Sequence, residues 1–301
     1  MERCLLKLNR TILLTNDDGV HSPAFKAFWR RLVDLRLGEV VAVTPEHEMS
    51  AAGKSITLHK PLRVNRVSSK IHGDRYGYVH LVSGTPADAV VIAFNLILSE
   101  KPCITVSGIN MGDNITLDNL FTSGTIAAAI QSLLSGVPAI AFSVEIPTSV
   151  ERRELKVSNF QHHGELAAEI TRFMVENPLS TPHVLNVNLP FHAGRDTGVE
   201  LTSLAKIKFE NYILERKDPR GVPYYWIGSS EINVDKSHEG TDLYALTVQK
   251  AVSISPISLE VNTPILMSPE SFYKREHLEK DRRTLENLKK RVREILVSKT
   301  H

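Results

Sequence analysis

The sequence has little cysteine, no long apolar run and almost no excess of charge. Its two cysteines, Cys4 and Cys103, stand in no CxxC or Cys/His cluster, which argues against a disulfide framework and a structural zinc site. That usage fits a reducing compartment, so a cytoplasmic location is expected. No run of 18 apolar residues occurs, so nothing is expected to span a membrane. The opening stretch MERCLLKLNRTILL is broken by Lys7, Asn9 and Arg10, and no small-residue cleavage site follows it, so a signal peptide is not expected. The dinucleotide fingerprint GxGxxG is absent, and a nicotinamide cofactor is not implied. Lys+Arg total 36 against 34 Asp+Glu, a net charge of +2, which disfavours a general binder of nucleic-acid backbones. The small basic excess lies in residues 270–301, with 10 Lys/Arg against 6 Asp/Glu, and a solvated helix face accounts for it.

What is present is an ordinary globular composition, 42% hydrophobic and 23% charged over 301 residues. That is enough for one large domain with an appendage, and it excludes wholesale disorder. Short apolar runs alternate with helical patterns. TILLT (11–15), VVAVT (40–44), CITV (103–106), AIAFS (139–143) and VLNVN (184–188) read as buried strands. Ser22-Pro23 opens a helix with Phe25, Phe28, Leu32 and Leu35 on one face. Pro86–Leu98, a small-residue segment from Gly124, and His163–Asn177 read as further helices. Continuous apolar strands between helices imply an α/β fold, a Rossmann-like, doubly wound, mostly parallel sheet.

The pattern changes after about residue 195. Lys206–Glu215 and Tyr224–Gly228 flank KDPRGVP and predict a long β-hairpin arm, followed by strands at Tyr244–Val248 and Ala251–Ser255. Pro264 and Pro269 break the chain before a terminal helix carrying Leu278, Leu285, Leu288, Val292 and Ile295, interrupted by Asp281. That stripe is either a face docked on the core or a face for another subunit. The expected organisation is a core over 1–194, an arm with additional strands over 195–262 and a helical tail over 263–301.

Ligands of open parallel sheets bind beyond the carboxyl ends of the strands. The loops there carry Asn16-Asp17-Asp18-Gly19, PEHEMSAAGKS (45–55), SGINMGDN (107–114) and Thr122-Ser123-Gly124-Thr125. Adjacent aspartates repel and lose solvation, and a bound cation relieves both; the alternative is a turn with capping carboxylates. Carboxylate, hydroxyl and amide oxygens favour Mg²⁺, Mn²⁺ or Ca²⁺ over zinc. Ser123-Gly124-Thr125 at a helix start is either an anion site or an ordinary cap. A cation facing a phosphate cradle would suit metal-assisted hydrolysis of a phosphate ester. The histidines offer less. His162-His163 reads as capping or surface, and His59, His72 and His80 have no ligand spacing.

ILLTNDDGV, EMSAAGKSIT, GTPADAV, VSGINMGDNIT, SGTIAAAI and LNVNLP, continued by DPRGVPYYWIG and EGTDLYAL, in this order resemble the SurE family of survival-protein nucleotidases over roughly residues 11–262. The resemblance implies a divalent-metal-dependent phosphatase acting on nucleoside 5′-monophosphates, with 3′-monophosphates and short polyphosphate as further substrates, by attack of a metal-activated water. Carried over position by position, it makes Asp17, Asp18, Ser50 and Asn110 the ligands of one divalent cation per subunit, Mg²⁺ or Mn²⁺, with Ca²⁺ able to replace it in a crystal. It makes Ser107, Gly108, Ser123, Gly124 and Thr125 the phosphate-binding segments. Asp17 is the candidate to orient or deprotonate the water. Direct attack by a carboxylate is the lesser alternative, because Gly19 stands where a haloacid-dehalogenase phosphatase has its second aspartate. The resemblance also implies a homodimer or homotetramer with exchanged C-terminal elements, the hairpin around Asp218–Gly221 being an assembly arm and the helix near 278–296 a candidate swapped element. His238 could assist the leaving group from a neighbouring subunit. Thr44-Pro45-Glu46 replaces the usual Ala-Pro-Asp, Lys54 stands where another polar residue is common, and residues 115–122 run about one residue long. A non-catalytic nucleotide or phosphate sensor on the same fold is the competing function.

Overall fold

A computed structural model describes residues 10–72, 75–181, 183–207, 211–229, 233–259 and 275–298. Cys4, Pro264, Pro269 and positions 208–210 of the expected hairpin lie outside the described residues. In chain order the elements are β1 (Thr11–Thr15), α1 (Pro23–Leu35), β2 (Glu39–Pro45), β3 (Val64–His72), β4 (Arg75–Val82), α2 (Pro86–Ile92), β5 (Ile104–Met111), α3 (Thr116–Thr122), α4 (Gly124–Leu134), β6 (Ala139–Val144), α5 (Gln161–Glu176), β7 (Val184–Leu189), β8 (Val199–Leu201), β9 (Asn211–Lys217), β10 (Pro223–Ser229), α6 (Asp242–Thr247), β11 (Val252–Ile257) and α7 (Arg275–Ser298).

Nine strands form one sheet in the order β3-β4-β2-β1-β5-β6-β7-β11-β8. From β4 to β7 every neighbour is parallel; β3 and β11 run antiparallel to β4 and β7. The expected doubly wound α/β sheet is therefore present. Its central strands are buried along their length: Ile12, Leu13 and Leu14 in β1, all of β6 and all of β7. Helices cover both faces. Phe25, Phe28, Trp29 and Leu32 of α1 pack with Leu166, Ile170 and Met174 of α5 on one side. Val90 of α2 and Ala128 of α4 pack with Leu13 and Val43 on the other.

Local chemistry explains the helix starts. Ser22 accepts from the Phe25 amide with Pro23 next in line, and Thr85 and Asp88 cap α2 reciprocally. The helix after Pro86 continues past α2 as a π turn over Ala93–Ile97.

Three expectations need correction. Tyr244–Val248 is not a strand: Thr241 caps α6, whose Leu243, Ala245 and Leu246 are buried. Six residues are too few for helical periodicity to outweigh the β-prone Tyr, Thr and Val. The expectation of capping or surface fails at His163, while His162 is half-buried. Both lie in the first turn of α5, and His163, 3% exposed, sets Nε2 3.1 Å from the Pro190 carbonyl. The strand beginning at Ile104 also runs on through Ser107–Met111, so those residues belong to a strand end and not to a loop. The β3–β4 hairpin, α3 and β8 were not foreseen. β3 and β4 show no continuous apolar run, and their anchoring is tertiary: Trp29 presses on Gly77, where a Cβ would meet its ring at 2.5 Å.

The β9–β10 hairpin stands apart as its own two-stranded sheet with every β9 residue exposed. In α7, Leu288, Val292, Ile295 and Leu296 are buried in the main core, while Leu278 stays 49% exposed. The terminal helix thus docks on α5 and β8 of its own chain. The apparent break in its stripe, Asp281, is an anchor: it is 5% exposed and accepts from the Ser180 amide at 2.6 Å, the Thr181 amide at 2.8 Å and the Thr181 hydroxyl.

Candidate functional site

The four predicted loops meet at the carboxyl edge of β1, β2 and β5. Asp17 lies two residues beyond the end of β1. Its backbone carbonyl accepts from the Met49 amide at 2.9 Å, which brings the 45–55 loop over the strand end. Gly53 in that loop donates to the Thr122 carbonyl at 2.9 Å, joining it to α3. Gly53 has φ +53°, and a Cβ there would stand 2.6 Å from the Phe121 carbonyl oxygen, so only glycine allows this approach. Asp88 ties down the rest of the loop by accepting from the Thr57 amide at 3.0 Å and hydroxyl at 2.6 Å.

Asp17 is 6% exposed and held by α4: the Thr125 amide donates to Oδ2 at 3.1 Å and its hydroxyl to Oδ1 at 2.5 Å. Gly124 has no room for a side chain, because a Cβ would meet Asp17 Cβ at 2.8 Å. Asp18 accepts from the Met111 amide at 2.9 Å. Burial pushes the Asp17 carboxyl up, against the opposing pull of Thr125, and Glu48 adds to the rise. Burial first, then the charges of Asp17 and Glu48, push Asp18 up to about 7.

Asn110 is aimed by an irregularity in β5. Pairing with β6 runs to Ser107↔Ala141 and resumes at Asn110↔Ser143. Between them Gly108 has φ +127°, and a Cβ there would fall 2.3 Å from the Phe142 carbonyl oxygen. Asn110 Nδ2 donates to the Gly112 carbonyl at 2.8 Å, which leaves Oδ1 for a ligand. Ser50 is exposed and its hydroxyl donates to Glu48 at 2.8 Å, keeping oxygen lone pairs available. Beneath the loop, Asn114 bonds to Asn188 and Ser143, and Asn186 and Asn188 both donate to its carbonyl. Asp242 accepts from the Thr116 and Ala205 amides, each at 2.8 Å, and so secures the far end of the loop.

Asp17, Asp18, Asn110, Ser107, Gly108, Ser123, Gly124 and Thr125 are thus gathered on one edge by these contacts, with Ser50 reaching it through its loop. Two carboxylates, a hydroxyl and an amide form an all-oxygen donor set that fits a hard divalent cation. Among the described residues no three His, Cys, Asp or Glu side chains gather as metal ligands, so a cation here would need the hydroxyl and the amide. Ser107 Oγ, Thr15 Oγ1 and Asn16 Oδ1 are buried there with no hydrogen-bond partner among the described residues. Ser123 caps α4 by accepting from the Ile126 amide at 3.1 Å. Sequence reasoning missed Glu48, the anchors Asp88 and Asp242, and Arg152, whose positive charge opposes the rise in Asp18. The positions of Glu48, Asp88 and Asp242 inside long motifs hinted at them, and no motif included Arg152. His238 packs in the turn Lys236–His238 beside Asp235. A groove of about 1470 Å³ opens at the opposite, amino-terminal edge of the sheet and contains none of these residues.

The fold and the acidic, oxygen-rich edge define a doubly wound α/β protein with its polar site at the switch of the parallel sheet. Residues 12–211 match the family model described as survival protein SurE, and the chain belongs to the SurE family. It is 38% identical over 262 residues to the 5′-nucleotidase SurE of Methanosarcina barkeri, covering 85% of this chain and 95% of the relative. It is 42% identical over 250 residues to 5′-nucleotidase SurE 1 of Thermus thermophilus, covering 83% and 92%. The crystal structure of the SurE protein from Aquifex aeolicus superimposes with a TM-score of 0.64 at 31% identity, over 85% of this chain and 96% of that one. Among the described residues no helix is long and apolar enough to cross a membrane.

Proposed function

We propose that this chain is a divalent-metal-dependent phosphatase that hydrolyses nucleoside 5′-monophosphates, with 3′-monophosphates and short polyphosphate as secondary substrates. The observation that carries the reading is the convergence of Asp17, Asp18 and Asn110, with the Ser50 loop, beside the unpartnered Ser107 hydroxyl. Asp17, Asp18, Ser50 and Asn110 would hold one cation, Mg²⁺ or Mn²⁺. When bound, that cation supplies charge neutralisation at the phosphoryl oxygens and acidifies a coordinated water. The chain's own residues do the rest. Asp17, fixed by Thr125, orients the attacking water. The Ser107 hydroxyl and the Gly108 and Gly124 backbone donate to the phosphoryl oxygens as charge develops there. Thr125 already donates both its groups to Asp17, so its part is to position that carboxylate.

The test is phosphate release from a panel of nucleoside 5′- and 3′-monophosphates, first in EDTA and then with Mg²⁺ or Mn²⁺. Metal-dependent release from the 5′ esters is expected. Folded protein that binds nucleotides but releases no phosphate with any metal would transfer the site to the sensor function.

Assembly is assigned to the hairpin arm, as a homodimer or homotetramer. Tyr225, Trp226 and Ile227 are exposed to 59%, 62% and 75%, an apolar surface that a lone chain leaves in water. Replacing Trp226 and Ile227 by serine should lower the mass seen by sedimentation; an unchanged mass would sink this assignment.

A further inference from the structure

Arg152 is the unexplained group at this edge. It opens the first of two 3₁₀ turns between β6 and α5, Arg152–Glu154. Its guanidinium reaches back toward β5. Nη2 lies 2.9 Å from where a Cβ on Gly112 would stand, and Asn110 Nδ2 lies 3.6 Å from that same point. Gly112 has φ +143°, so the turn already demands glycine, and the missing side chain is also what admits the arginine. Arg152 is exposed, and its guanidinium makes no hydrogen bond or ion pair among the described residues. Yet its charge acts on both Asp18 and Asp113. Attraction to those carboxylates accounts for its side of the rim. It does not account for a planar fork of N–H donors held beside Asn110 without an acceptor.

A phosphate monoester entering this site meets Asp17, Asp18 and Glu48, all repulsive to it. One cation held by the first two leaves the far side of the phosphoryl group without a positive partner. A guanidinium matches two oxygens of a phosphate at once and stays charged at any working pH. We propose that Arg152 is a substrate-binding residue whose guanidinium donates to non-bridging oxygens of the phosphoryl group from the Asn110–Gly112 side. The proposal rests on the phosphatase reading above.

The experiment compares Arg152→Gln and Arg152→Lys with the full wild-type chain. Inorganic phosphate binding is measured by calorimetry on the Mn²⁺-loaded protein, Mn²⁺ affinity by titration without phosphate, and KM and kcat with nucleoside monophosphates. Arg152→Gln should weaken phosphate about tenfold or more, the usual size for a lost hydrogen bond to a charged group. Mn²⁺ should bind as well as before or more tightly, because a repelling charge has gone. Arg152→Lys should fall between, keeping the charge and losing the fork. Opposite or independent movement of the two affinities is what a merely structural arginine would not produce. Phosphate binding within twofold of wild type in Arg152→Gln would overturn the proposal. So would a parallel loss of Mn²⁺ and phosphate affinity, which would make the residue a support for the 110–112 turn. If the wild type released no phosphate from any nucleotide, the phosphatase reading would fail, while the phosphate calorimetry would still decide for or against Arg152.

Discussion

Gly124→Ala sets two measurable effects against each other. Gly124 is the first residue of α4, and alanine is favoured over glycine inside helices by up to about 1 kcal/mol. Propensity alone would make the variant neutral or slightly more stable. Packing says otherwise. The new Cβ would stand 2.8 Å from Asp17 Cβ and 3.0 Å from both Asp17 Oδ2 and Pro86 Cγ. Carbon atoms in contact prefer about 3.5–4.0 Å, so Asp17 or α4 has to move by roughly 0.7 Å. Overpacking of this kind costs about 1–3 kcal/mol, which outweighs the propensity gain. The effect on catalysis should be larger, because a shift of about 1 Å at a reacting group can cost about 100-fold in rate. We expect kcat/KM for nucleoside monophosphates to fall about 100-fold with the far-UV spectrum unchanged, and the urea midpoint to drop modestly. Gly194→Ala is the control, since a Cβ there meets nothing within 4 Å. Activity of Gly124→Ala within threefold of wild type, at equal stability, would refute the claim that α4 is fitted around Asp17.

Three further outcomes are expected. Asp281→Ala should cost about 3 kcal/mol in urea unfolding, because it strips the acceptor from two backbone amides at Ser180 and Thr181; a change below about 0.5 kcal/mol would mean that α7 is held by its apolar face alone. Burial holds the His163 imidazole below its ordinary range. Below about pH 6.5 the unfolded chain therefore binds a proton that the folded chain refuses, and stability falls with falling pH by at most about 1.4 kcal/mol per unit from this group. His163→Phe should remove that part of the slope between pH 7.5 and 5.5 in paired urea titrations, and an unchanged slope would contradict it. Asp17→Asn should abolish most metal-dependent phosphate release while leaving the fold intact, and near wild-type turnover would end the metal-centred mechanism.

The parallel core was legible because burial on both faces demands uninterrupted apolar strands, as in TILLT and AIAFS. Pro23 and Pro86 marked helix starts for a reason of bond geometry, and both stand just inside a capped helix. The edge hairpin β3–β4 was not legible, since half of its residues face water and its anchoring depends on Trp29 from a distant helix. Tyr244–Val248 misled because a short helix is fixed by its cap, Thr241, more than by its composition. The candidate site divides in the same way. Asp17, Asp18 and Asn110 sit at strand ends, where topology alone collects ligands. Glu48 and Arg152 enter from loops whose path is set by single backbone hydrogen bonds, such as Met49 to Asp17, and no local pattern encodes that.

The start of α4 changes how the site's charges balance. From the sequence, Ser123-Gly124-Thr125 offered a helix terminus to an anion. In the fold the anion is Asp17: Thr125 gives it an amide and a hydroxyl, and Ser123 turns back to cap Ile126. The helix dipole therefore stabilises a buried carboxylate of the chain itself. A phosphate reaching for Thr125 would have to displace Asp17, at the cost of leaving that carboxylate buried and without its hydrogen bonds. On the proposed phosphatase function the helix start keeps only the Gly124 backbone for the phosphate, and the remaining attraction would come from a cation held by Asp17 and Asp18 and from Arg152 on the opposite rim. On this account the anion-binding property of the helix start is used mainly once removed. It fixes Asp17, the carboxylate that on the proposed function would hold the cation facing the phosphate.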